Sequence, residues 1–287
     1  MTVQLALKPE ARRLADPDLS LDPETFAFIA SMLKSEAGIA LGGDKAPFVS
    51  SRLTKRLRAL GLKTFDAYRD LIEKPGGAAE RAEMVCALTT NVTRFFREHH
   101  HFEDLTARVL RPIAPAVRRG ARLRLWSAAC SSGEEAYSMA IEVLSVIPNA
   151  ADLDIRILAT DIDANILNEA RSGVYDADDL GAISEKRRVK WFETLDAGRV
   201  RVRDEVRGLV SFRRLNLFDD WPMTGTFDAV FCRNVVIYFD TPSQTLIWSR
   251  FSEKMQPGAR LYVGHSERVS DAAFELDGVT TYVRRPV

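Results

Sequence analysis

From residue 22 to residue 90 the apolar positions recur at helical spacing. Asp22-Pro23-Glu24 reads as a helix start, with a capping carboxylate followed by a first-turn proline, and Phe26, Ile29, Ala30, Leu33 and Ala37 form one face before Gly38. A second helix is expected from Pro47 to Leu60, with Leu53, Leu57 and Leu60 inward and Gly61 as its stop. Thr64 is placed to cap a third, whose inner face is Phe65, Tyr68, Leu71 and Ile72. After the turn Pro75-Gly76-Gly77, a fourth runs from Ala79 to Thr89 with Val85 and Leu88 inward. His99 to Arg119 reads as a connector containing one helix.

The pattern changes at Ala121. Short apolar runs at Leu123–Ala129, Asp154–Thr160, Phe227–Cys232 and Arg260–Gly264 alternate with amphipathic stretches at Ser132–Ile147, Ala164–Arg171 and Ser243–Met255. Strands alternating with helices predict a mostly parallel sheet covered on both faces, an α/β fold that binds ligands beyond the carboxyl ends of its strands. Residues 185–213 break the alternation. Val200, Val202, Val206 and Val210 sit among arginines, with Gly198 and Gly208 as turn residues, which predicts a small antiparallel insertion. The expected organisation is a flexible tail (1–21), a helical domain (22–90), a linker (91–120) and an α/β domain (121–287) carrying the insertion.

Composition narrows the class. The 287 residues carry 40 basic and 40 acidic side chains, so attraction to an anionic partner requires a local patch. The three cysteines, Cys86, Cys130 and Cys232, lack metal-ligand spacing, which fits a reducing cytoplasm and no structural zinc. No run approaches the ~18–20 apolar residues of a membrane span, so no membrane insertion is expected. His99, His100 and His101 do not make a metal site, because adjacent helical residues point about 100° apart.

The candidate chemistry lies at the predicted strand ends. Cys130-Ser131-Ser132-Gly133-Glu134-Glu135 follows the first strand and offers two overlapping capping boxes, Ser131 with Glu134 and Ser132 with Glu135. Alternatively, a carboxylate there faces a ligand. One glycine beside two acids is unsuited to a pyrophosphate, which argues against NAD and ATP. Thr160-Asp161-Ile162-Asp163 ends the second strand, where an acid commonly holds ribose hydroxyls; helix capping is the competing role. Asn216 and Leu217 suit an adenine edge and face, or a turn. In Phe231-Cys-Arg-Asn-Val-Val-Ile-Tyr-Phe239, a polar Arg-Asn pair interrupts an apolar run, and Tyr238 is either a core residue or an aromatic partner for a cation. Asn91-Val-Thr-Arg-Phe-Phe-Arg-Glu98 is a candidate lid, or a helix start capped by Thr93.

With Thr89–Glu98, Trp126–Glu135, Ala159–Asp163, Phe231–Phe239 and Gly264-His-Ser-Glu267 in this order, the chain resembles the chemotaxis receptor methyltransferases (CheR family) from about Asp22 to Val279. The resemblance implies a Rossmann-like S-adenosylmethionine methyltransferase domain, an N-terminal all-helical domain and a small antiparallel β-subdomain insertion. It implies esterification of glutamate side chains on the cytoplasmic helices of methyl-accepting receptors, with S-adenosyl-L-homocysteine as product. Cofactor contacts are implied for Asn91, Thr93, Arg97, Glu134, Asp161, Asn216, Leu217, Asn234 and Val235, with Arg97 and Tyr238 near the reacting methyl group. Some members hold a receptor's C-terminal peptide on the β-subdomain and carry a longer, glycine-containing hairpin loop; the short turn Thr194-Leu-Asp-Ala-Gly-Arg199 predicts a peptide-independent enzyme.

Such a reaction needs little machinery. A free glutamate has a pKa of about 4.3 and is already ionised, so alignment replaces a general base, and orientation is worth as much as ~7–11 kcal/mol. For docking, Lys45 to Lys63 contains six basic residues and no acid, and Arg52, Lys55 and Arg56 share a helical face. A solvated face is the plainer reading of that run. The rival functions are a nucleic-acid methyltransferase, opposed by the zero net charge, and a non-catalytic S-adenosylmethionine-binding signalling module.

Overall fold

The computed structural model describes residues 20–196 and 198–286. Residues 1–19 of the expected tail, and Ala197 of the hairpin turn, lie outside the described residues. The chain divides into two compact units: residues up to Met32 with Leu41–Leu88, and Leu33–Ala40 with Thr89 onward.

The first unit is helical: α1 (Pro23–Ala37, whose last turn belongs to the second unit), α2 (Ala46–Leu60), α3 (Phe65–Glu73) and α4 (Ala78–Leu88). Asp22 accepts the Glu24 and Thr25 amides, and the Thr64 hydroxyl accepts the Ala67 amide, so both predicted caps form. Ile29, Leu53, Leu57, Phe65, Tyr68, Ile72 and Val85 are buried. Leu60 is not: it is 39% exposed. Gly61 takes a left-handed conformation that ends α2, and the Leu62 amide turns back to the Leu57 carbonyl, leaving Leu60 on the outside of the turn.

The second unit holds α5 (His100–Asp104) and α6 (Arg111–Val117), joined by a π-helical stretch, Leu105–Leu110. Then come β1 (Leu123–Ala128), α7 (Glu134–Val146), β2 (Ile155–Asp161), α8 (Ala164–Ser172), β3 (Val174–Asp176), α9 (Glu185–Trp191), β4 (Phe192–Thr194), β5 (Arg199–Val202), α10 (Asp204–Arg207), β6 (Val210–Arg214), β7 (Phe227–Cys232), α11 (Thr241–Lys254), β8 (Met255–Val263), β9 (Phe274–Leu276) and β10 (Thr281–Arg284). The main sheet runs β6-β2-β1-β7-β8-β10-β9, parallel from β6 to β8 and antiparallel at β10 and β9. Alternate residues feed two cores: Leu123, Leu125 and Phe231 pack with α7 residues, while Trp126, Val230 and Leu261 pack with Trp248 and Phe251 of α11. A separate three-stranded sheet, β3-β5-β4, is antiparallel.

The small sheet differs in extent from the expected 185–213. It begins at Val174, too short a strand to announce itself by alternation, and Val210 does not belong to it. Val210 heads β6, which pairs in parallel with β2, while Val206 is buried in α10. The four regularly spaced valines therefore come from three different settings.

Candidate active site

Strand order reverses around β1, which pairs with β2 on one side and β7 on the other. A crevice beyond the carboxyl ends of β1 and β7 is where an open α/β sheet receives a ligand. The backbone is unusual there. Among the described residues, the non-glycine positions with positive φ are Phe96, Glu98, Ala129, Ser131, Asn234 and Thr280. Five of the six lie in the segments after β1, after β7 and in the connector, and such strain persists where surrounding structure enforces it, often at functional sites.

After β1 the chain turns through Ala129, Ser131 and Gly133 into α7. Gly133, at φ +98°, caps the helix with its backbone alone, and a Cβ there would come within 3.0 Å of the Ala170 side chain and 3.2 Å of the Tyr175 hydroxyl. Neither predicted capping box forms. The Ser132 hydroxyl instead donates to the Glu134 carboxylate (2.7 Å), and the Ser131 amide donates to Asp161 (2.8 Å). Asp161, the last residue of β2, also accepts the Asp163 amide (3.0 Å). The capping role at α8 falls to Asp163, whose carboxylate accepts the amides of Asn165 and Ile166. That division leaves Asp161 at the strand end.

Glu134 and Asp161 are both buried. Burial raises the Glu134 carboxyl above its ordinary value, and burial pushes Asp161 up to about 6 despite its backbone hydrogen bonds. The hydrogen bonds named for these two acids come from hydroxyl and amide groups, not cations. Two desolvated acids of this kind suit a cationic, hydroxyl-bearing ligand and repel phosphate.

The 91–98 segment lies against this corner. The Asn91 amide donates to Asp163 (3.1 Å), the Asn91 carbonyl accepts the Ser131 hydroxyl (3.0 Å), and the Phe96 amide donates to Ser138 of α7 (3.0 Å). It is not a helix start: the helix begins at His100, and Thr93 caps nothing. Arg97 is half-buried and donates to the Val92 carbonyl (3.0 Å). Among the described residues no group of His, Cys, Asp and Glu side chains is arranged to hold a metal. His101 is buried, donor or acceptor to Thr280 at 2.9 Å, and burial, with Arg233 nearby, drops its pKa to about 3.

Beyond β7 sit two features that sequence reasoning missed. Arg233, read only as half of a polar pair, is buried and bridges Glu98 (3.1 Å) and Glu135 (3.1 Å), while also donating to the Arg97 carbonyl. Burial works to raise Glu98, but Arg233 beside it prevails and holds the carboxyl below its ordinary value. Glu267 is 3% exposed, and its carboxylate accepts the amides of Asn234 (2.9 Å), Val235 (2.9 Å), Val236 (2.8 Å), Ile237 (3.3 Å) and Gly264. This clamp fixes the loop that carries Asn234 at φ +60°. A Cβ on Gly264 would meet the Asn234 side chain at 2.5 Å. Arg233 lies in the Phe231–Phe239 run and Glu267 ends the Gly264-His-Ser-Glu267 motif, so the sequence marked both positions but not their partners.

Asn234 and Val235 are half-buried, and Tyr238 is 36% exposed, so it is not a core tyrosine. Asn216 sits in a turn. Its carbonyl accepts the Phe218 amide (3.1 Å), and its amide group donates to the Glu36 carbonyl (2.7 Å). Leu217 is buried in the core beside Trp221. In the helical unit, Arg52 and Lys55 are exposed, but Arg56 is engaged internally: it forks onto Glu80 (3.0 and 2.5 Å), pairs with Glu83 (3.2 Å), and Tyr68 donates to the same Glu80 (2.9 Å). The shared helical face thus divides, and Arg56 holds α2 to α4 rather than presenting a free charge.

Comparison with known proteins gives a consistent picture. The family described as "CheR methyltransferase, SAM binding domain" matches residues 91–283, and "CheR methyltransferase, all-alpha domain" matches residues 24–89. A "Probable chemotaxis protein methyltransferase" of Rhizobium etli is 51% identical over 257 residues, covering 88% of this chain and 96% of the relative. The "Chemotaxis protein methyltransferase" of Salmonella typhimurium is 40% identical, covering 92% and 91%, and that of Escherichia coli is 38% identical, covering 92% of each.

Proposed function

The chain belongs to the CheR methyltransferase family, and from that premise we propose that it methylates glutamate carboxylates on the cytoplasmic helices of chemotaxis receptors, without a tether peptide. Its cofactor is S-adenosyl-L-methionine. The observation that carries the reading is the acidic corner: Glu134 and Asp161, desolvated and with no salt bridge to a cation among the described residues, match a positively charged, phosphate-free nucleoside. When bound, the cofactor supplies a methyl group activated by a sulfonium.

In this reading Asp161 accepts the ribose hydroxyls and Glu134 the ammonium or hydroxyl groups beside them. Asn91, Thr93, Asn234 and Val235 border the ligand. Asn216 and Leu217 flank the adenine, with Asn216 contributing through its rigid turn because its side chain is engaged within the protein. Arg97 guides the incoming carboxylate, and Tyr238 lines the methyl pocket, its exposure leaving a face toward the substrate. The substrate is already ionised, so these groups align it and exclude water rather than remove a proton. Arg52 and Lys55 of the helical unit attract the acidic receptor helix. No helix among the described residues is long and apolar enough to cross a membrane.

The test is methylation of receptor-bearing membranes with tritiated cofactor. Alkali-labile label on the receptor, retained when its C-terminal peptide is deleted, is expected. Alkali-stable label, label on nucleic acid, or none contradicts the reading. In the same assay Tyr238→Phe lowers turnover more than cofactor affinity, and the double reversal Arg52→Glu, Lys55→Glu weakens substrate capture alone.

A further inference from the structure

The inserted antiparallel sheet touches both segments that frame the acidic corner. Tyr175, in the middle of β3, is 7% exposed. Its hydroxyl donates to the Ser132 carbonyl (2.7 Å), one residue before Gly133 and two before Glu134. Its ring meets Phe95 edge-on at 5.0 Å, and Phe95 also meets Phe192 of β4 edge-on at 5.3 Å. Phe95 belongs to the segment that carries Asn91, Thr93 and Arg97. Arg187 of α9 lies over the neighbouring Phe96 ring (5.1 Å) while pairing with Glu142 of α7 (2.7 Å). Both anchored segments are strained at Ser131, Phe96 and Glu98, so they need external restraint to keep their form.

We propose that Tyr175 is a positioning residue for methyl transfer: its hydroxyl fixes the turn that presents Glu134, and its ring fixes the segment that presents Arg97. The small sheet is therefore part of the wall of the active site, which gives it a purpose in an enzyme that works without a tether peptide. The two attachments act on different steps. The hydroxyl acts on a cofactor-holding turn. The ring, through Phe95, acts on the segment that guides the carboxylate. This inference rests on the methyltransferase reading above.

The experiment compares Tyr175→Phe, Tyr175→Leu and a control, Val202→Ala, using the full chain. Val202 is buried in the same small sheet, opposite Phe192 in the strand ladder, and makes neither the hydrogen bond to Ser132 nor a ring contact with Phe95. Binding of S-adenosyl-L-homocysteine is measured by calorimetry, turnover by receptor methylation, and folding by thermal melting. Removing one buried hydrogen bond, Tyr175→Phe weakens product binding about three- to tenfold and leaves kcat within about twofold of wild type. Tyr175→Leu, which also loses the ring contacts, lowers kcat by about tenfold or more. Val202→Ala lowers the melting temperature, and its affinity and kcat match wild type. The inference is overturned if Tyr175→Phe binds as wild type does, or if Tyr175→Leu and Val202→Ala change affinity and kcat alike. Absence of binding by the wild type itself would instead remove the functional reading beneath it.

Discussion

The two sides of the crevice treat buried acid in opposite ways. Beyond β7, Glu98 and Glu135 share Arg233, whose guanidinium sits between them and also reaches the Arg97 carbonyl. Beyond β1 and β2, Glu134 and Asp161 are held by a hydroxyl and by backbone amides. On the first side the shared cation holds Glu98 below its ordinary value, although burial still raises Glu135 above its own. The second holds acids whose pKa values burial has raised, Asp161 to about 6. An internally paired acid stabilises architecture, whereas an unpaired one keeps a cost that a cationic ligand relieves.

Each side can be broken separately. Arg233→Met leaves two buried carboxylates without their cation, and it is expected to destabilise the protein by about 3–5 kcal/mol in denaturant unfolding. If the loss were below about 1 kcal/mol, the paired side would be a solvated pair in disguise. Asp161→Asn is expected to act mainly on the pH dependence of stability and on cofactor binding. A carboxyl raised in the folded state contributes stability at low pH that disappears as pH rises from about 4 through 6. Removing the charge therefore flattens that pH dependence, while the single oxygen of asparagine leaves one of the Ser131 and Asp163 amides without its acceptor, a cost of about 1–3 kcal/mol that opposes the relief of burying a charge, and cofactor binding weakens about ten- to a hundredfold. Melts across pH and titrations on one preparation read both effects. Glu134→Gln sharpens the contrast with a smaller effect, because the Ser132 hydroxyl still has an oxygen to donate to. A loss of affinity of about three- to tenfold is expected, with no fall in stability.

The sequence made the frame legible and the wiring illegible, for physical reasons. β7 is an apolar run buried throughout, β1 and β2 are buried apart from Arg124, Arg156 and Leu158, and the four first-unit helices show their inner faces at helical spacing. The placement of Asp161 and Glu134 just beyond strands was legible because position after a strand is itself information. Long-range partners were not. Arg233 meets Glu98 from 135 residues away, and Glu267 reaches back to amides about thirty residues earlier. Arg56 seemed a free surface charge because Glu80, its partner, lies on another helix. The serines before α7 fitted a capping pattern whose donors and acceptors the tight turn at Gly133 redirects. β9 and β10 carry no signal comparable to the central strands, being short and half-exposed at the sheet edge.

The central claim is that an unpaired acidic corner waits for a sulfonium nucleoside. Calorimetric titration of the wild type with S-adenosyl-L-methionine and with S-adenosyl-L-homocysteine, from about pH 7.5 down to about pH 5, tests it most directly. Ionised Asp161 favours the cation, so affinity is predicted to fall as pH drops through about 6, more steeply for the charged cofactor than for its product, and Asp161→Asn is predicted to flatten the difference. Equal, pH-independent binding of both compounds, or no binding of either, would contradict the account.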